Sequence, residues 1–385
     1  MIHVGMDVHI RNSVLNAKDA DGQALARGRA GNTMLDLGTF FAPLERRAKA
    51  TGESIRVVME STGNSRAIQR LLTQYGREAG IELTAEVLHA RKLRVIAESV
   101  NKCDRVDADM LTELSRSNLK LPTCYLPDDE EFALREHLRA RSDLVRIRTM
   151  VKNRVHAILH RRGILTPTGD LFGRCGGTFL DQLNLDQAGR ITLQKFRELI
   201  KQLDESIKQS TACLRTVMRQ PRWAKPAALL QTMPGIGLIT SLMILAELGD
   251  LSRFRSRAAV ANYAGLVPRH RDSDQKRWSG HITRRGSAHL RGVLIEAAWM
   301  AAPRVPVYQA LFDRVATKKN KKTAIVAVAR RMLEDAWMLL IKDEAFRYVP
   351  AFLGDTQEDR TRVPAGPEHR ELRSRVPQAA SSVAG

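Results

Sequence analysis

The chain has 385 residues, 43% of them hydrophobic, and carries 62 Lys and Arg against 42 Asp and Glu, for a net charge of +20 and a pI near 10.3. A chain of that length fills two or three cores and is neither a peptide nor a fibre, and so large a positive excess calls for a polyanionic partner, nucleic acid before an acidic membrane. The longest nearly apolar run, GIGLITSLMILAEL at 235–248, holds Thr240, Ser241 and Glu247 and falls short of the roughly 20 residues a membrane span needs, so it reads as a buried helix.

The N-terminus MIHVGMDVHI lacks the basic start and apolar middle of a secretory signal. Cys103, Cys124, Cys175 and Cys213 lie far apart with no C-x-x-C spacing, which predicts free thiols in a reducing, cytoplasmic compartment.

In chain order, IHVGMDVH, SVLNAKDA and GQALARGRA read as strands, and DLGTFFAPLERRAKA has helical spacing. IRVVMEST is an apolar β-rich run, NSRAIQRLLTQYG a helix ending on Gly, LTAEVLHA a strand, and RKLRVIAESV helical again. A meander followed by alternating strand and helix predicts an α/β domain with a mixed sheet over 1–122. Residues 128–222 hold two long amphipathic runs, from Glu130 to about Arg162 and from Leu183 to about Gln220, around the break GILTPTGDLFGRCGGTF. They predict a helical hairpin or coiled-coil spacer, either a link between domains or an oligomer interface. A mostly helical domain is expected over 223–348, and 354–385, polar and without periodicity, reads as disordered.

NKCDRVDADML, residues 101–111, places Asp104, Asp107 and Asp109 within six residues at the start of a helix. Asp104 and Asp107 share a face there and Asp109 rotates away. Two carboxylates held together repel, and a hard divalent cation such as Mg²⁺ neutralises them. Alone the pair is an ordinary solvated helix face. Asp7 within the core strand IHVGMDV and Glu60 at the end of IRVVMEST strengthen the metal reading, because an acid in a core strand is costly without a partner. One carboxylate on a strand, one at a strand end and two on a helix is an arrangement that builds a two-metal phosphodiester site.

GMDVH, MESTG and KCDRVDADML closely resemble the three signature blocks of the N-terminal RuvC-like (RNase H-like) domain of the DEDD transposases. This insertion-sequence family is related to the Piv invertase and includes the bridge-RNA-guided serine recombinases. The resemblance assigns Asp7, Glu60, Asp104 and Asp107 as a tetrad for Mg²⁺ or Mn²⁺ and leaves Asp109 outside it. Cys103 stands where the family usually has Thr, at a position that is not a ligand.

Further on, Pro234-Gly235-Ile236-Gly237 before an apolar helix resembles a helix-hairpin-helix turn, where Gly235 and Gly237 let backbone N–H groups approach a phosphate; the alternative is an ordinary tight turn. A basic stretch bounded by Gly265 and Gly286 includes Arg269, Arg271, Lys276, Arg277, Arg284 and Arg285 and reads as a phosphate-binding loop. Lys318, Lys319, Lys321 and Lys322 open the last long helix, either as a nucleic-acid track or as a solvated cap.

AAVANYAGLVP, a short serine-bearing loop and K-x-x-x-G-x-I-T-x-R-G look like the C-terminal transposase domain of the same family, whose serine is the recombination nucleophile. Ser273 aligns with it; Ser279 and Ser287 align less well. The family typically reads Ser-Ser-Gly-Gly there, against Asp272-Ser273-Asp274-Gln275 in this chain.

The resemblance implies a DNA transposase or recombinase, associated with the nucleoid when it acts and assembled as a homodimer or homotetramer. It also implies active sites shared between subunits and a structured noncoding guide RNA. Two other readings stay open: a metal-dependent RuvC-like junction nuclease using water, and an inactive DNA-binding relic.

Overall fold

The computed structural model describes residues 1–90, 92, 104–117, 119–166, 169–273 and 276–347, with the backbone alone at 104–105, 270–273 and 276–279. The chain divides into two compact units, 1–127 and 128–385.

The first unit opens with a meander of β1 (Ile2–Val8), β2 (Asn12–Lys18) and β3 (Ala24–Gly31), followed by α1 (Met34–Thr51), β4 (Ile55–Glu60), α2 (Ser65–Ala79), β5 (Leu83–Leu88) and α3 (Asp104–Arg116). The strand order is β3-β2-β1-β4-β5; β1 to β3 are antiparallel, and β4 and β5 run parallel to β1. This is the mixed sheet the sequence predicts. Successive strand residues face opposite ways, and both faces are covered. Ile2, Val4, Met6, Ile55, Val57 and Met59 pack with Phe41 of α1 and Leu72 of α2. Val58 and Leu88 face the other way, against Leu111 and Leu114 of α3. The segment RKLRVIAESV lies almost wholly outside the described residues.

In the second unit α4 (Asp129–His160) begins at an Asp128 cap that accepts from Glu131 N, with three acids in its first turn where the helix dipole favours them. Its antiparallel partner is α6 (Gln187–Met218), and the direction is fixed by His137–Ser210 at 3.0 Å, Arg148–Asp204 at 2.7 Å and Arg162–Asp186 at 2.9 Å. The far end of this hairpin has its own core around Val155, Leu159 and Leu193. At the near end Leu134, Leu138 and Leu214 join the core of the C-terminal helices. The glycine-rich break between the long helices is not all loop, because Arg174–Asp181 forms α5. Gly176 is needed there, since a Cβ would overlap the Leu171 backbone.

Beyond α6 follow α7 (Pro221–Gln231), α8 (Leu238–Leu248), α9 (Arg257–Tyr263), β6 (Pro268–Ser273), β7 (Lys276–Ile282), α10 (Ala288–Ala301), α11 (Pro306–Lys318) and α12 (Lys321–Lys342). The apolar run read as a buried helix is α8, and Glu247 within it pairs with Arg139 at 2.7 Å. No described helix is long and apolar enough to cross a membrane. Cys124, Cys175 and Cys213 are free thiols; Cys103 and the tail from 354 fall outside the described residues.

Candidate active site

Met6 of β1 pairs with Met59 of β4, so the next pair along the same parallel edge is Asp7 and Glu60. Neighbouring strands lie about 4.8 Å apart. Both acids fall on the α3 face, because the residues two before each, Gly5 and Val58, touch α3: Gly5 N donates to Thr112 Oγ1 at 3.1 Å and Val58 packs with Leu111. Gly5 permits the approach, since a Cβ would overlap Ala108 O and Thr112 N.

The helix runs antiparallel to β1, with His3 Nδ1 2.9 Å from Ser115 Oγ at one end and Gly5 against Thr112 and Ala108 further on. Two strand residues advance about 6.7 Å and four helical residues about 6 Å. Stepping from Gly5 to Asp7 therefore matches stepping from Ala108 back to position 104. Asp107 sits one turn before Leu111, on the stripe facing β4. The first turn of α3 thus lies over the strand ends that carry Asp7 and Glu60.

Glu60 and Asp107 are half-buried, and neither carboxylate has a partner among the described residues. Asp7 has one close neighbour the sequence reading passed over, His9, whose Nε2 is 3.2 Å from Asp7 Oδ2. The signal was present in MDVH, because residues two apart on a strand share a face. His9 is itself anchored, its carbonyl accepting from Asn64 Nδ2 at 2.9 Å and Asn32 Nδ2 at 2.7 Å. Among the described residues no group of three or more His, Cys, Asp and Glu is gathered as a metal cluster, and the Asp104 side chain is outside them. The donor chemistry still fits a hard divalent ion: all-oxygen, anionic and self-repelling until a cation compensates it.

Asp109 answers for the third aspartate. It accepts from Asn16 Nδ2 on β2 and Arg27 Nη2 on β3, and so ties α3 to the meander. His3, beneath the same helix, has its pKa lowered first by burial and then by nearby positive charge. At the outer edge burial pushes the Cys124 thiol up, against the opposing effects of Ser61 and Lys92.

In the second unit the basic stretch is a hairpin, not a loop: β6 and β7 are antiparallel with Ser273 paired to Lys276 and Asp272 to Arg277, so Ser273 sits beside the tip. Alternating polar residues satisfy a two-stranded ribbon without an apolar signal to reveal it. Arg269, Arg284 and Arg285 are exposed and make no ion pair among the described residues; the side chains of Arg271, Lys276 and Arg277 lie outside them. Ser287 is occupied as the α10 cap, its Oγ accepting from Leu290 N at 3.2 Å. The Ser273 and Ser279 side chains are outside the described residues.

Gly235 has φ +86°, and a Cβ there would overlap Ala297 O, so its requirement is packing against α10. Gly237 caps α8 in the open, and a Cβ there would meet nothing within 4 Å. Lys318, Lys319, Lys321 and Lys322 are all exposed, without ion pairs among the described residues, around the Asn320 cap of α12.

Residues 4–162 match the model of the IS110-type DEDD transposases, and residues 227–312 match the transposase IS116/IS110/IS902 family. Two regions of the chain are thus similar to the transposase domains of the IS110/IS116 insertion-sequence family. It is 26% identical to the transposase for insertion sequence element IS1111A of Coxiella burnetii over 316 residues, 76% of this chain and 79% of the relative. With the transposase for IS1328 of Yersinia enterocolitica it shares 25% over 351 residues, 89% and 98% of the two chains. A pilin gene-inverting protein of Moraxella bovis is 32% identical over 157 residues, 40% of this chain and 47% of that one. The first match spans the tetrad and the long α4; the second spans α7 to the middle of α11, including the hairpin.

Proposed function

We propose that this insertion-sequence transposase cuts and rejoins DNA with a divalent ion held by Asp7, Glu60, Asp104 and Asp107 and with Ser273 as nucleophile. The observation that carries the reading is the placement of Asp7 and Glu60 at adjacent parallel strand ends under the first turn of α3, with Glu60 and Asp107 unpartnered among the described residues. Half-buried acids kept without cationic side chains are costly unless a ligand compensates them. A bound Mg²⁺ or Mn²⁺ supplies charge stabilisation at the phosphate.

Ser273 Oγ forms a bond to phosphorus, the P–O bond to a deoxyribose oxygen breaks, and that oxygen leaves as a hydroxyl carrying the proton. One phosphodiester replaces another, so the strand stays energised for rejoining. Arg269, Arg271, Lys276, Arg277, Arg284 and Arg285 hold the backbone around the hairpin, while Gly235, Gly237 and the four lysines near Asn320 extend the contact. A guide RNA and a homodimeric or homotetrameric assembly complete the reading.

The test is a denaturing gel for covalent protein–DNA product, using the element's end, target DNA, its flanking transcript and Mg²⁺. Wild type gives an adduct; Ser273→Ala and Asp104→Ala do not. Cleavage without an adduct that survives Ser273→Ala establishes a water-using nuclease instead. Binding without any product establishes a relic.

A further inference from the structure

The hairpin that bears Ser273 is joined to the helical body at a narrow base whose two sides are locked by backbone fit. A Cβ on Gly265, φ +70°, would overlap Arg285 O, and one on Gly286, φ +102°, would overlap Tyr263 O. Thr283 N donates to Val267 O at 2.8 Å and Arg284 N to Gly265 O at 3.2 Å. Arg284 itself adopts φ +53°, a left-handed backbone that a non-glycine residue holds at a cost of about 1 kcal/mol or more. Thr283 Oγ1 is shielded from solvent and has no hydrogen-bond partner among the described residues.

Across it reaches Arg291 of α10. One guanidinium nitrogen, Nη1, donates to Ala264 O at 3.1 Å and to Gly286 O at 3.0 Å. These carbonyls precede β6 and follow β7, so a single side chain ties the entry of the hairpin to its exit. Arg291 is half-buried, and both burial and the neighbouring Arg284 charge disfavour its cation. It makes no ion pair among the described residues. A guanidinium kept there, between two carbonyls and beside a like charge, is spent on backbone geometry.

We propose that Arg291 is a positioning residue that clamps the base of the β6–β7 hairpin and so fixes where Ser273 is presented. This rests on the reading of Ser273 as nucleophile, but the clamp itself can be tested without it. A hairpin two strands wide with a polar surface has little stability of its own, and a nucleophile displaced by about 1 Å loses on the order of a hundredfold in rate.

The experiment compares full-length wild type, Arg291→Met and Arg291→Lys by amide hydrogen exchange of peptides spanning 264–286, by binding of a random duplex DNA against salt, and by covalent adduct formation. Arg291→Met is expected to speed exchange in the hairpin about tenfold or more while peptides of α8 and α12 keep wild-type protection. Its salt slope should equal wild type, and adduct yield should fall about a hundredfold. Arg291→Lys, which keeps a cationic multiple donor on a differently shaped side chain, should fall between the two.

Unchanged exchange in the hairpin overturns the clamp whatever happens to activity. A salt slope lowered by about 0.9 makes Arg291 a phosphate contact instead. Loss of protection throughout the unit reduces it to a general core support. Should wild type itself form no adduct, the serine reading fails, and the exchange data still decide the clamp.

Discussion

Gly5→Ala tests the geometry on which the carboxylate site depends. The new methyl would overlap Ala108 O and Thr112 N, both backbone atoms of α3 that no rotamer change can move. Ordinary contact needs the helix to retreat by about 1 Å, a gap that forfeits much of the dispersion attraction along it. Overpacking of this kind costs about 1–3 kcal/mol, and stretching the bond from Gly5 N to Thr112 Oγ1 adds about 1 kcal/mol.

For a unit of this size the sum, about 2–4 kcal/mol, lowers Tm by roughly 8–16 °C. Because the first turn of α3 carries Asp104 and Asp107, DNA cleavage by the folded fraction should also drop about a hundredfold. Scanning calorimetry reads the first effect, and single-turnover cleavage below the new Tm reads the second. Gly177→Ala in α5, where a Cβ meets nothing within 4 Å, is the control and should melt at or above wild type. A Gly5→Ala protein that melts within about 2 °C of wild type and cleaves at its rate would sink the account of how α3 is seated.

Asp109→Ala, which frees Asn16 and Arg27, should destabilise the first unit by about 1–3 kcal/mol in urea melts and leave the metal dependence of cleavage at saturating Mg²⁺ unaltered. A changed metal requirement would make Asp109 a ligand. Ser287→Ala removes the α10 cap and should cost about 1 kcal/mol with the covalent adduct retained; loss of adduct at normal stability would move the nucleophile there. Glu113, held below the usual glutamate range first by Lys18 and also by Arg116, contributes stability that is present above its unfolded pKa and lost as pH falls through the lower folded one. Glu113→Gln should therefore flatten the acid limb of the melting curve below about pH 5, by no more than about 1 kcal/mol for so exposed a pair; an acid limb identical to wild type contradicts the assignment. Arg284→Ala with Arg285→Ala should reduce the salt slope of duplex binding by up to about 1.8, and an unchanged slope removes both from the phosphate contacts.

The first unit was legible because its alternation is strong. Ile2, Val4 and Met6 against His3, Gly5 and Asp7 give both the strand and its two faces, and IRVVME gives the neighbour that brings Glu60 to Asp7. What the pattern did not carry was partner identity. Asp107 and Asp109 are two residues apart in one acidic run, and only the meander, by presenting Asn16 and Arg27, separates an unpartnered carboxylate from a tether. Local composition misled twice. The Gly176-Gly177 pair hides α5, whose helix survives because Gly176 must lie against Leu171. RHRDSDQKRW reads as loop because its run of polar residues gives no apolar period.

The two halves of the candidate chemistry are therefore built on opposite principles. Asp7 and Glu60 stand at the ends of two adjacent inner strands of a five-stranded sheet, Asp7 paired with Val14 of β2 and Glu60 with Leu88 of β5, with α3 above, so their spacing is set by strand separation. Ser273 stands beside the tip of a two-stranded ribbon that is tied to the body at its base, among Gly265, Gly286 and Arg291. A rigid carboxylate platform suits charge that must be compensated in one geometry. A serine proposed to attack DNA from the end of a ribbon needs instead to have that ribbon held in one place. A lock at the base, distant in sequence from the tip, supplies the constraint that so slender a ribbon lacks on its own.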